Sequence, residues 1–215
     1  MLLQKRWWLI LPLALFLWIF LDLKLPSKKD IRQFDPVEIA RLDTKMWRSY
    51  YDKKKLSLFL QLGTLMRKQF GANFWRSQHI AYCAAKAAFT FQSGSTRADY
   101  ELALPYLDQY YTQIDKLSRQ SFDVSEASLL ELEWWIVHRQ RDRYGPEDLT
   151  IALANSAAIL YTVRPESLLN YGEYRTKAME IRDNNAADQI LNEADWVSIE
   201  QNLTKAWKAL YQDIN

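Results

Sequence analysis

Glycine and proline, the residues that let a chain turn sharply, number only five and six among 215 residues. Folds built from many short strands need both at their turns. Their scarcity directs this chain into a few long helices. Apolar residues make up 49% and charged residues 25%, the balance of a folded chain and not of a disordered one. A domain of about 150 residues buries about 68–70% of its unfolded surface, so the chain beyond its first segment can support a core. The expected class is all-α: an N-terminal membrane-anchor helix, then a bundle of about six to seven helices over residues 35–215.

The first segment reads MLLQKRWWLILPLALFLWIFLDLKLPSKKD. Lys5 and Arg6 precede a fifteen-residue apolar run from Trp7 to Leu21. A bilayer crossing takes about 20 residues, and a signal-peptide core is shorter. No small-x-small cleavage site follows, and Trp7, Trp8 and Trp18 sit near the ends of the run, as interfacial aromatics do. Residues 1–25 are therefore expected to be an uncleaved, single-pass signal anchor. Residues 26–34 form a linker. The short basic N-terminal flank favours a bundle on the non-cytoplasmic side, although Lys24, Lys28, Lys29 and Arg32 oppose it.

After the linker, helix signals recur. Asp35, Pro36 and Glu38 form a start signal. Apolar positions at helical spacing then run to Gly71, as one helix or as two broken near Lys53–Lys55. Further helices are expected at about 74–91, 98–118 (with Pro105 as kink or true start), from the Phe122–Glu126 box to Gly145, and at about 147–161, 166–183 and 193–213. The short run AILYTV at 158–163 is the only strand-like piece. Tyr100 to Leu104 has the flavour of a tetratricopeptide helix, but its look-alike at Glu147 comes about 47 residues later instead of 34.

Chemistry-bearing motifs are missing. The sequence has no phosphate-cradling glycine loop, no nucleophile elbow and no H-E-x-x-H. The two histidines, His79 and His138, lack the Glu three residues earlier that a di-iron bundle uses. No cofactor and no metal are expected. Cys83, the single cysteine, sits among small apolar residues and reads as a buried hydrophobe. Net charge is +2 and the longest basic run is Lys53–Lys55, so no nucleic-acid partner is expected.

The stretch 129–145, LLELEWWIVHRQRDRYG, holds the densest mixture of charge and aromatic rings. On a helical wheel Glu131, Trp135, His138 and Asp142 form one narrow stripe, which reads as a solvated edge with a His138–Asp142 pair. Glu133 falls among Leu129, Leu130, Ile136 and Val137. By the same neighbour test Asp43, Lys86 and Arg175 also point at apolar faces. A buried charge is costly unless another helix supplies its partner. The expectation is one or two buried ion pairs among Asp43, Glu133, Lys86 and Arg175. Trp47, Tyr50, Tyr51, Tyr106, Tyr110 and Tyr111 are candidate interface aromatics.

The function expected from these features is a membrane-anchored helical interaction or assembly module. Its partners would be the membrane, through residues 1–25, and another protein or membrane complex. Two alternatives stay open: an enzyme on a helical scaffold using a buried carboxylate, Glu133 or Asp43, and a tetratricopeptide-like adaptor.

Overall fold

The computed structural model describes residues 4–188 and 191–215, with side chains for 10–184 and 191–215. The order is α1 (Gln4–Lys24), α2 (Pro36–Tyr51), α3 (Lys55–Phe70), α4 (Phe74–Ser93), α5 (Arg97–Glu101), α6 (Leu104–Leu117), α7 (Val124–Arg139), α8 (Pro146–Tyr161), a 3-10 turn at Pro165–Leu168, α9 (Leu169–Asp188) and α10 (Glu193–Ile214). The class is all-α. The only β-type pairing among the described residues is an isolated bridge between Lys29 and Ser118.

Local chemistry sets most of the boundaries. The Asp35 carboxylate accepts from the backbone N–H groups of Val37 and Glu38, with Pro36 in the first turn of α2, and satisfies donors that a helix start leaves orphaned. Glu38 does not close the capping box; it pairs with Lys68 of α3 at 2.9 Å. The break between α2 and α3 falls at Lys53, whose φ of 57° places it in the left-handed region. Gly71, at φ 64°, ends α3 as a left-handed cap. The helix expected over 98–118 divides into α5 and α6, with Pro105 in the first turn of α6. The Asp123 carboxylate caps α7 by accepting from Glu126 N–H at 3.0 Å.

One boundary differs. α7 ends at Arg139 and not at Gly145. Gly145 instead starts α8, its N–H donating to the Asp148 carboxylate at 2.8 Å. The chain between them turns through a bond from Arg143 N–H to Gln140 C=O of 2.9 Å. The signal Gly-Pro served the start of the next helix, because Asp148 three residues on could reach back. AILYTV lies at the C-terminal end of α8 and just beyond it.

From α2 onward, helices joined by short connections pack as neighbours, except that the short α5 packs on α4 and α7 instead of α6, and α10 packs on both α9 and α2. The last helix thus returns to the first and closes the bundle. α8 is the most enclosed: Leu149, Leu153, Ala154, Ala158 and Tyr161 are all buried. Its small residues let α9 approach closely, and a Cβ at Gly172 would collide with the Thr150 carbonyl. A second, smaller apolar cluster joins α4 to α7 through Ala87, Tyr100, Leu107, Leu132 and Ile136.

α1 stands apart. Among the described residues its main packing is on α4, and from Ile10 to Leu21 its large apolar residues are exposed on nearly every side, Leu11 at 70% and Phe16 at 65%. Among the described residues no helix is long and apolar enough to cross a membrane. The apolar stretch of α1 with described side chains runs from Ile10 to Leu21, against the roughly 20 apolar residues that a crossing takes. Met1–Leu3 and the side chains of residues 4–9, including Lys5, Arg6, Trp7 and Trp8, belong to the expected anchor over 1–25 and lie outside the described residues.

Candidate functional site

Two polar assemblies are built into this bundle. The first is at its centre, where α2, α9 and α10 meet. The Asp43 side chain is 2% exposed and pairs with the Arg175 guanidinium at 2.7 Å. The same oxygen accepts from the indole Nε1–H of Trp207 at 2.9 Å. Arg175 lies 5.6–5.7 Å from the ring centres of Trp47, Tyr171 and Trp207, a cage that favours a cation. Burial opposes the arginine's charge, but Tyr171 and Asp43 outweigh it and hold its pKa above the ordinary value.

Of the four candidate charges, then, Asp43 and Arg175 come together and the other two do not join them. Glu133 pairs with Arg97 at 3.0 Å at the rim, its side chain 37% exposed. Lys86 is exposed, with its ammonium 5.6 Å from the Tyr106 ring. The carboxylate of α7 that turns inward is Glu131. It accepts from Tyr111 O–H at 2.9 Å, Ser156 O–H at 2.9 Å and Trp135 Nε1–H at 3.1 Å. These donors come from α6, α8 and α7 itself, so Glu131 ties three helices across the gap between the two apolar clusters. The expected solvated stripe is therefore part interior. His138 pairs with Asp183 of α9 at 3.0 Å, not with Asp142, which is exposed in the turn after α7. Burial pushes the Asp183 carboxyl up, but bonds from His138 and Arg182 outweigh it and hold it below the usual range. α7 is apolar round most of its circumference, so a wheel cannot say which side faces its neighbours. The donors on α6, α8 and α9 decide.

The candidate interface aromatics are mostly interior. Trp47 and Tyr111 are buried, and Tyr110 and Tyr51 pack against the core. Tyr106 packs on the smaller cluster. Tyr51 also carries the Arg182 guanidinium 3.7 Å from its ring centre, and burial pushes its hydroxyl up to about 12 against that cation. Only Tyr50 presents substantial surface, at 38%.

The second assembly joins α1 to the bundle. The Asp22 carboxylate, 5% exposed, accepts from Trp75 N–H at 2.7 Å, in the first turn of α4. Arg76, fully buried, donates to the carbonyls of Asp22 and Leu23 in the last turn of α1, and to Gln113 at 2.6 Å. An acid therefore sits at the positive end of α4 and a base at the negative end of α1, the arrangement both helix dipoles favour. Trp18, one turn before Asp22 on the same face, stacks on Phe74 and meets Trp75 edge-on. Asp22 interrupts the apolar run, and its spacing from Trp18 is the one trace of this junction in the sequence. Arg76 gave no signal.

The arrangement binds helices together more than it offers a reaction centre. Asp43 and Glu131 each accept from more than one fixed donor, and Tyr111 and Tyr161 are held protonated by burial. Burial likewise pushes the Cys83 thiol up, which leaves little thiolate to react. Two open depressions are present. One of about 380 Å³ is lined by Lys177, Glu180, Ile181, Asn184 and Asn202. The other, about 200 Å³, includes Glu133, Tyr144 and Asp148. Neither reaches Asp43 or Glu131. Among the described residues no group of three or more His, Cys, Asp or Glu side chains is placed to hold a metal ion. No protein-family model matches the chain, and neither the curated proteins nor the solved structures compared with it offer a match.

Proposed function

We propose that this protein is a membrane-anchored, all-helical interaction module: α1 enters lipid, and the closed bundle is presented beside the membrane, on its non-cytoplasmic side, to another protein or a membrane complex. The observation that carries the reading is the surface of α1. A helix that is apolar all round belongs inside a core or a bilayer, and among the described residues the bundle covers only its last turns. The same bundle holds that end by the Asp22 and Arg76 caps, so the exposed helix is seated on the bundle and not merely attached by a tail. The interior supports a structural role for the charged residues, since Asp43 and Arg175 join α2 to α9 and Glu131 joins α7 to α6 and α8.

The test is fractionation of the full chain from cells. It should sediment with membranes, resist washing in high salt, and come free in mild detergent. Release by salt alone would overturn the reading. A mild-detergent pull-down then asks for the protein partner.

A further inference from the structure

The end of the bundle that carries α1 also carries an unusual concentration of unpaired positive charge. The linker after α1 does not hang free. Lys29 N–H donates to Leu117 C=O at 2.6 Å, and Arg119 N–H donates to Lys29 C=O at 3.0 Å. This pairing lays Lys28 and Lys29 beside the last turn of α6, which bears Lys116, and the connection to α7, which bears Arg119. Lys116 lies close enough to the start of α4 to depress the His79 pKa, after burial and together with Arg76. Arg76 in turn holds the end of α1, whose last turn bears Lys24. Lys24, Lys28, Lys29, Lys116 and Arg119 are all exposed, and among the described residues none of the five meets an acid side chain. The acids nearby are occupied. Asp22 is buried on Trp75 N–H, Asp30 accepts from Arg32 N–H at 3.0 Å, and Asp115 accepts from Ser121 and from Phe122 N–H.

We infer that this end of the bundle is a docking surface for anionic lipid headgroups. The inference rests on the reading of α1 as the helix seated in lipid. Three features converge on it. The basic collar is continuous with the exposed apolar helix. The aromatic group Trp18, Phe74 and Trp75 sits between them, with Trp18 51% and Phe74 43% exposed, where interfacial rings belong. Lys24 follows Trp18 by six residues, about 9 Å along the axis, the depth of a headgroup layer. The crossed caps of Asp22 and Arg76 fix the angle at which α1 leaves, so the collar and the helix meet the same membrane face together. A lysine or arginine near an anionic surface strengthens binding roughly fivefold.

The experiment measures partition of the full chain, diluted from detergent, onto vesicles of phosphatidylcholine alone and of phosphatidylcholine with phosphatidylglycerol, at low and high salt. The expected result is tighter binding to the anionic vesicles at low salt, a gap that closes at high salt. The K28Q/K29Q/K116Q/R119Q variant alters only exposed side chains. It should lose at least about twentyfold on anionic vesicles and nothing on neutral ones, with an unchanged circular dichroism spectrum. Equal partition of the native chain onto both vesicles would overturn the docking surface while leaving α1 as the anchor. Failure to bind neutral vesicles at all would overturn the anchor itself.

Discussion

Replacing Asp43 by Asn is the most direct test of the bundle centre. Asn matches Asp in volume, so no cavity forms, and its amide oxygen can still accept from Trp207. What is lost is the negative charge opposite Arg175. The arginine side chain is 10% exposed, and a guanidinium does not give up its proton inside a protein, so it remains a cation. Its Nε is already buried without a partner. The three rings around it stay in place and contribute equally before and after. Breaking a buried pair by removing one partner costs about 3–5 kcal/mol, and the retained Trp207 bond puts Asp43→Asn at the lower end, near 3 kcal/mol. For a domain of this size that lowers Tm by about 6–12 °C. Adding Arg175→Met removes the stranded charge and should restore about 2 kcal/mol, since an apolar replacement of a buried pair is often near neutral. The assay is thermal and urea unfolding of the four variants of this cycle in mild detergent, followed by circular dichroism. A loss below about 1 kcal/mol for Asp43→Asn, or a double variant that loses the sum of the two singles, would refute a coupled buried pair.

Two further outcomes follow from the packing. Burial raises the pKa values of Tyr51, Tyr110, Tyr111, Tyr161 and Tyr171. A group whose folded pKa lies above its unfolded value gives stability below the unfolded pKa and loses it above. Stability should therefore hold up to about pH 10 and then fall by up to about 1.4 kcal/mol per pH unit for each buried tyrosine, read as one steep loss of ellipticity with tyrosinate absorbance appearing in step; gradual tyrosinate formation with the helices intact would contradict this burial. Gly172→Ala, normally favourable in a helix, should instead destabilise by about 1–3 kcal/mol because the added methyl meets the Thr150 backbone; a neutral or stabilised melt would show that α8 and α9 are not in close contact.

The helices were largely legible because their signals are local. Asp35–Pro36, Gly71, Pro105 and Asp123 act within a few residues of themselves, and each sets a boundary in the structure. Gly145 misled because a glycine before a proline can end one helix or begin the next, and Asp148 settled it. The site was harder to read, since its content lies in pairings between distant segments. Asp43 and Arg175 announced themselves by standing among apolar neighbours, Asp43 on a clearly two-sided helix. α7 has no such sidedness. Glu131 and Glu133 are two residues apart, and which one turns inward depends on where Tyr111 and Ser156 arrive. Lys86 misled because its long stem can lie along an apolar face while its ammonium reaches water. Arg76 was silent because two of its three partners are backbone carbonyls of α1, which carry no residue identity, and the third, Gln113, is an uncharged amide on a distant helix.

The bond between Asp43 and Trp207 spans 164 positions of the chain, and the bond to Arg175 spans 132. Both donors lie in the last third of the sequence. During synthesis α2 is made early, and its carboxylate has nothing to meet until α9 and α10 have emerged. Loop closure over such a distance precedes any reward from the contact. The bundle thus has a late checkpoint: its first helix is locked by its last. A chain cut short before Arg175 would present Asp43 on an apolar face with no cation to meet, and one cut between Arg175 and Trp207 would hold the ion pair without its indole donor.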